Sequence, residues 1–473
     1  MSEEIRAQRV EKLEQLLKAN VDVYGRRYYK TDIVNVREGD ASVKIAGRIM
    51  AIRGHGKSAF LDLKDFTGKL QVYFKKDALS ETGNTIFKEL DIGDIIGVEG
   101  DVFKTRTGEL TLLVKNISLL SKSLLPLPEK WHGLKDVEMR FRKRYLDLIM
   151  NQNSRDVFFM RAKILQFIRD FLNAKGFLEV ETPMMHPIAG GAEARPFVTH
   201  HNALDMELYM RIAPELYLKR LLVGGFEKVY EINKSFRNEG ISPLHNPEFT
   251  MLELYSAYGD FTEMMEITES IITGASRNLH GSLSIQFHGR PVNLEVPWKK
   301  ITWDESFRMA GIKDWRDAED VKKKIGEYGI ESDVESESHF EMLDAIFKKK
   351  VQPQLYNPTF IYEYPREVSP LAKSCPGNDA MTERFELFIG GMEVANAYSE
   401  LNDPVEQHRR FTEKIGEEGD THKVVDEDYV EALEYGMPPA GGLGIGIDRL
   451  VMLMTDSASI REVVFFPLLR PKK

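Results

Sequence analysis

The chain has 473 residues, 42% hydrophobic and 29% charged, a globular composition long enough for about three domains. Its single cysteine, Cys375, excludes an internal disulfide framework and a cysteine metal cluster, and fits a reducing compartment. A formal net charge of −10 argues against a protein that coats nucleic acid, because phosphate contacts need local positive charge, but it leaves room for one basic groove. No run of about 18 apolar residues occurs, so no membrane association by a spanning helix is expected. The charged start MSEEIRAQRVEKLEQLL lacks an apolar signal core, and a cytoplasmic location is the expectation.

In chain order, residues 1–30 form a helical segment, with Ile5, Val10, Leu13, Leu16 and Leu17 spaced among charges as in an amphipathic helix. Residues 31–125 change character. SVKIAGRIMAIRGHGKSAFLDLKDFTGKLQVYF and DIIGVEGDVFKTRTGELTLLVKNISLL alternate and break at glycine-containing turns, which predicts a small β domain. A five-stranded oligonucleotide-binding β-barrel is the natural candidate. The Pro-rich SLLPLPEKWHGLKD marks a hinge, set at 126–150. Within it RFRKRY, 140–145, reads either as a nucleic-acid contact or as a solvated helix start whose aromatics turn inward.

From 151 to 473 helices and strands mix, which makes the chain α+β. RAKILQFIRDFLNAKGF, 161–177, is an amphipathic helix closed by Gly176. VYEINKSFRNE and EFTMLELYSAY read as paired strands around a loop. The lysine-rich stretch within about 261–350 reads as a helical insertion, and 381–470 return to strands that end in GGLGIGIDRLVMLMTD.

Three stretches carry chemistry. In FRNEGISPLHNPEFT, strict alternation puts Arg237 and Glu239 on one face, and Phe249, Met251, Glu253 and Tyr255 on one face of the return strand, with Leu252 and Leu254 opposite. A guanidinium forks onto phosphate oxygens, a ring stacks on a base and a carboxylate accepts an amino hydrogen, so this face suits a nucleotide. In ERFELFIGGMEVANAYSELND, a two-residue Gly390–Gly391 turn sets Ile389 opposite Met392 and Glu386 opposite Ala395. Glu386 and Glu393 are then diagonal neighbours, in reach of one Mg²⁺, which takes one or two protein carboxylates plus phosphates. Alternation points Asn396, Tyr398 and Glu400 away from Glu393, so a single site requires a bulge after Glu393. The third stretch, GGLGIGIDR, lets another surface approach the backbone and ends in Arg449, but its glycine spacing is not that of a dinucleotide-binding loop.

KGFLEVETPMM, FRNEGISPLHNPEF and GLGIGIDR resemble the three motifs of the class II aminoacyl-tRNA synthetases, in the right order and spacing. RFRKRYLDLI, GGAEARPFVTHHNALDMELYMRIAPELYLKRL and NAYSELND are similar to the lysine branch of the lysine, aspartate and asparagine subgroup from end to end. The resemblance implies a catalytic domain built on an antiparallel sheet flanked by helices, behind an anticodon-binding barrel. It also implies activation of L-lysine by ATP, transfer to tRNA(Lys), and a homodimer through the KGFLEVETPMM region.

Residue by residue, the resemblance assigns Arg237 and Arg449 the catalytic positions. ATP would be held by Arg237, Glu239, His245, Asn246, Phe249, Glu386, Gly446 and Arg449. Lysine would be held by Gly191, Glu215, Glu253, Tyr255, Asn396, Tyr398 and Glu400. Glu386 and Glu393 would bind Mg²⁺, up to three ions accompanying ATP. In the barrel, Arg53, Phe60, Gln71 and Glu109 match positions that read the anticodon. The alternatives are an aspartyl or asparaginyl enzyme, whose pocket should instead offer a cation to the side-chain end, and a non-catalytic RNA-binding relative.

Overall fold

In the computed structural model, residues 2–471 are described, apart from 55–57, 129–135, 193, 332–336 and 419–423. The chain divides into two compact units, Met1–Lys135 and Asp136–Lys473.

In the first unit, helix α1 (Ser2–Lys18) precedes strands β1 (Val43–Arg53), β2 (Ser58–Lys64) and β3 (Lys69–Lys75). Helix α2 (Glu81–Lys88) and strands β4 (Ile95–Lys104) and β5 (Leu110–Ser121) follow. The strands close into a five-stranded barrel in the order β1-β2-β3-β5-β4. Alternation fills the interior with Ile45, Leu61, Val72, Val98 and Leu112, all fully buried. Leu16 of α1 joins that core. Arg9 and Lys12 tie the helix to the barrel, through the Ile92, Ser123 and Leu125 carbonyls and the Asp91 carboxylate.

The second unit begins with α3 (Val137–Arg142) and α4 (Arg144–Met150), so 137–150 belongs to this unit rather than to a hinge. The 129–135 part of the expected hinge lies outside the described residues. The basic run of 140–145 turns partly inward. Phe141 and Arg144 are buried, and Arg140 and Arg144 both grip Asp147. After α5 (Gln152–Ala174) come β6 (Leu178–Glu179), β7 (Met185–His186), β8 (Val198–His201), β9 (Met206–Met210) and α6 (Glu215–Val223). Then β10 (Lys228–Phe236), β11 (Glu248–Ala257), α7 (Phe261–His280), β12 (Ser284–Phe287), β13 (Arg290–Asn293) and β14 (Lys299–Thr302) follow. Helices α8 (Trp303–Met309), α9 (Ala318–Glu327) and α10 (His339–Ile346) precede β15 (Thr359–Pro365), β16 (Ser374–Cys375), β17 (Asn378–Ile389) and β18 (Met392–Ser399). The chain closes with α11 (Pro404–Glu418), α12 (Glu427–Glu434), β19 (Ala440–Gly446), α13 (Ile447–Thr455) and α14 (Ile460–Val463).

The large sheet runs β14-β15-β17-β18-β19-β11-β10-β6, with β16 added on β17. Its central pairs are antiparallel. One face is apolar: Leu252, Leu254, Phe385, Leu387, Ala397, Leu443 and Ile445 pack on helices α5, α7 and α13. The other face is left for polar work.

The expected insertion is smaller than 261–350. Helix α7 buries Met264, Ile267, Ile271 and Ile272 in the central core, because its apolar residues recur at helical spacing. The separate cluster starts near β14 and is built on Trp303, Phe307, Leu343 and Phe347.

Candidate active site

Three adjacent strands define the site. Across the polar face, Tyr255, Gly442 and Tyr398 lie in one row, and Glu253, Gly444 and Asn396 in the next. The outer strand β17 extends these rows with Arg384 opposite Tyr398 and Glu386 opposite Asn396. The middle strand contributes only glycine, so side chains from both neighbours face each other across a trough. A Cβ on Gly442 would stand 1.8 Å from Oε1 of Glu400 and 2.6 Å from the Tyr255 ring. The trough opens into a cavity of about 440 Å³. Its wall includes Gly191, Glu215, Arg237, Met251, Glu253 and Tyr255 on one side, and Arg384, Glu386, Glu393, Asn396, Tyr398 and Glu400 on the other.

The bulge required by the sequence is present. The register passes from Phe388 opposite Glu393 to Leu387 opposite Ala395, which leaves Val394 unpaired. That extra residue lets Glu393 and Asn396, three apart, face the same cavity. It also corrects the strict register: Glu386 lies opposite Asn396, not Ala395. Gly390 and Gly391, at φ 63° and 72°, make the tight turn that starts the hairpin.

The acidic floor is buried. Glu215, Glu253 and Glu400 are 5%, 5% and 1% exposed. Burial first, and then the nearby Glu215 charge, pushes the Glu253 carboxyl up to about 8. The Tyr255 hydroxyl donates to Glu253 at 3.2 Å and opposes that rise. Burial also drives the Glu400 carboxyl upward, and the Lys219 ammonium opposes it most. At the other end, Glu386 accepts from Arg384 at 2.7 Å and from the Tyr364 hydroxyl at 2.9 Å. Its carboxyl is pushed up to about 7, by burial and then by Glu393.

Arg237 lines the cavity with its guanidinium 5.1 Å above the Phe249 ring, and its Nε is buried without a hydrogen-bond partner. Arg449 donates to the Glu393 carbonyl at 2.8 Å and carboxylate at 3.3 Å, and its other nitrogen lies 3.3 Å from Nε2 of His245. Its helix is anchored one residue earlier. Asp448 accepts from the Thr250 amide at 2.7 Å and from Arg161 at 2.5 Å, locking α13 to β11. Gly446 pairs with Met251 at the start of that helix.

One expectation is corrected. Strand β10 ends at Phe236, so Arg237 and Glu239 belong to the loop rather than to an alternating strand face. Glu239 is exposed. His245, Phe249, Gly446 and Arg449, like Glu239 and Asn246, lie off the cavity wall. The Asn246 amide donates to the Glu248 carbonyl at 2.6 Å, and Asn246 lines a separate depression with Phe236 and Phe466.

Sequence reasoning gave no role to Arg384, Tyr364 and Lys219. Arg384 stands two residues before Glu386, and it donates to Asn396 at 3.2 Å as well. Lys219 stands one turn after Glu215 on α6, a spacing that by itself reads as an ordinary solvated pair.

In the barrel unit, Arg53 donates to Asp62 at 2.6 Å and to Gln71 at 3.0 Å, and the Phe60 ring stacks on Tyr73 with centroids 4.5 Å apart. The Glu109 charge acts on Arg53. The expected residues therefore form one patch with a ring platform.

Comparison with known proteins follows this division. Residues 136–470 match the family of class II tRNA synthetases (D, K and N), and residues 43–120 match an OB-fold nucleic acid binding domain. A lysine–tRNA ligase of Carboxydothermus hydrogenoformans is 56% identical, covering 98% of this chain and 97% of its own length. One from Pelotomaculum thermopropionicum is 52% identical over 98% and 94%, and one from Staphylococcus aureus is 50% identical over 100% of both.

Proposed function

Because the chain belongs to the class II tRNA synthetases of the D, K and N group, we propose that its trough joins lysine to ATP and passes the lysyl group to tRNA(Lys). A lysine carboxylate oxygen attacks the α-phosphorus, the bond to the bridging oxygen breaks, and pyrophosphate leaves. A terminal ribose hydroxyl of the tRNA then attacks the activated carbonyl, loses its proton, and AMP leaves. No covalent enzyme nucleophile is needed, since positioning and charge stabilisation can carry the first step.

The observation that carries this reading is the acidic floor. Glu215, Glu253 and Glu400 face one glycine-lined trough whose other end holds Arg237. A molecule with two ammonium groups and one carboxylate satisfies both ends. Glu400 and Tyr255 would take the ε-ammonium, and Gly191, Glu215 and Glu253 the α-ammonium. Arg237 would hold the carboxylate and α-phosphate, and Asn396 and Tyr398 would line the pocket. Phe249 and Arg449 would sandwich the adenine, His245 would meet the outer phosphates, and loop 237–247 would close to bring Glu239 to the adenine amino group. Lysine-dependent pyrophosphate exchange by purified protein tests the assignment across amino acids. Exchange supported by aspartate or asparagine instead of lysine would overturn it.

Glu386 and Glu393 fit Mg²⁺. Burial first, and then the like charge of Glu393, raises the Glu386 carboxyl. A pair of carboxylates suits a cation that draws its other ligands from phosphate and water. Bound there, Mg²⁺ would neutralise charge on the phosphates. A homodimer is proposed through the region of Leu178, Met184 and Met185, whose apolar side chains are exposed. Among the described residues no helix is long and apolar enough to cross a membrane, and a cytoplasmic setting is part of the proposal.

Two predictions follow from the charges and rings. With its carboxyl raised to about 8, Glu253 is mostly protonated at neutral pH. An arriving ammonium favours the carboxylate, so lysine binding at pH 7 releases a proton, and the release fades as pH rises past about 9. Calorimetry in buffers of different ionisation enthalpy reads it, and identical heats would remove Glu253 from the α-ammonium site. In the barrel, Phe60→Ala should raise KM for tRNA by about 5- to 100-fold, as expected for losing ~1–3 kcal/mol of base stacking, and leave exchange unchanged. Equal KM values for the variant and the wild type would place the anticodon elsewhere.

A further inference from the structure

We infer that Lys219 is a built-in counter-ion that holds and aims Glu400 and Glu215 from behind, and thereby sets the charge of the lysine pocket. The inference rests on the proposed function. It assigns Lys219 a positioning role, since its ammonium is not on the cavity wall.

Lys219 is 0% exposed on the inner face of α6. Its Nζ lies 2.6 Å from Oε1 of Glu215, contacts Oε2 of Glu400, and sits 5.3 Å over the Tyr398 ring. The Tyr398 hydroxyl donates to the same Glu215 oxygen at 2.5 Å. Around this group stand Glu253 and Tyr255 from β11, and Tyr429 from α12, whose hydroxyl has no hydrogen-bond partner. Other cations also bear on the group: Arg220 lies across the Tyr429 ring and is held by Asp426 at 2.8 Å, Arg384 acts on Tyr398 and Arg211 on Glu253.

The arrangement has a direction. Lys219 takes Oε2 of Glu400 and leaves Oε1 buried, without a hydrogen-bond partner, on the side of Gly442 in the trough. An incoming ammonium therefore meets a carboxylate oxygen whose orientation is already fixed from behind. The charge count also matches. Once lysine has arrived and Glu253 has released its proton, three carboxylates and one fixed ammonium leave two negative charges, the number of ammonium groups lysine brings. Without Lys219, three buried acids would share one site, and protonation would relieve their repulsion. Burial drives the Glu400 carboxyl upward even with Lys219 in place, and Lys219 is the largest charge that opposes the rise.

The test is Lys219→Met, which keeps the length and removes the charge. In pyrophosphate exchange from pH 7 to 9, KM for lysine should rise about tenfold or more at pH 7, because a buried acid loses its partner. The ratio to wild type should fall as pH rises, because rising pH favours the carboxylate form of Glu400, with KM for ATP unchanged. Titration of lysine itself cancels in that ratio. A ratio that is flat with pH means Lys219 only packs, and overturns the inference. If Lys219→Met does not fold, Lys219→Gln, which keeps a hydrogen-bond donor without the charge, is measured in the same way, and a ratio flat with pH overturns the inference. Absence of lysine-dependent exchange in the wild type would overturn the proposed function and this inference together, whereas a flat ratio in an active wild type overturns this inference alone.

Discussion

Arg237→Ala is expected to cut lysine-dependent pyrophosphate exchange by about 10²–10³-fold, the loss typical when one fixed donor to a developing charge is removed. The size follows from the environment. The guanidinium lies over the Phe249 ring, and its Nε is buried with no protein acceptor, so one donor awaits a ligand oxygen. A donor held this way needs no reorganisation when charge builds at the α-phosphorus. Arg237→Lys should restore little, because a point charge on a flexible stem cannot fork onto two oxygens. The fold should survive, since among the described residues no ion pair places Arg237 in the core. Single-turnover adenylate formation beside thermal unfolding separates the two effects. Near-normal adenylate formation by the alanine variant would take Arg237 out of the reaction.

What was legible in the sequence depended on period. Strand β11 alternates along most of its length, so Met251, Glu253 and Tyr255 reach the cavity and Leu252 and Leu254 reach the core as expected, whereas Phe249, expected on the same face as Met251, is off the cavity wall and packs against the core cluster. The barrel strands were legible for the same reason. The hairpin was legible only as a contradiction: Glu393 and Asn396 could share a site only through a bulge, and Val394 supplies it. The opposite register of Glu386 was not legible, because one inserted residue changes every pairing beyond it.

Helix α7 was read as part of an insertion because the lysine-rich segments after it coloured the whole stretch, although its apolar residues have the spacing of a core helix. Lys219 was not legible because a Glu and a Lys four apart on a helix usually form a solvated pair. Only the arrival of Glu400 from a strand far along the chain makes that pair a buried triad. Arg384 is similar: its partners Glu386 and Asn396 lie on two strands, and the second is fixed by the bulge.

Gly442→Ala should raise KM for lysine by about 100-fold or more, while leaving KM for ATP within a few-fold, because the cost falls on the ε-ammonium end of the trough. The added methyl would stand 1.8 Å from Oε1 of Glu400 and 2.6 Å from the Tyr255 ring. The ring is buried and cannot retreat, so the carboxylate must turn away, and the oxygen reserved for the substrate ammonium is the one that moves. Overpacking of this kind costs about 1–3 kcal/mol of stability, which a domain of this size tolerates. Two residues along the same strand the outcome should differ. A methyl on Gly444 would meet the Met251 side-chain end at 3.0 Å and Glu253 Cγ only at 4.0 Å. A flexible thioether can give way by a few tenths of an ångström, so Gly444→Ala should change KM for lysine by less than about tenfold. The pair of variants isolates the role of the glycine row. Its absence of side chains matters most where Glu400 and Tyr255 converge, and equal effects at the two positions would show that the trough selects by general narrowing rather than by the aim of one carboxylate.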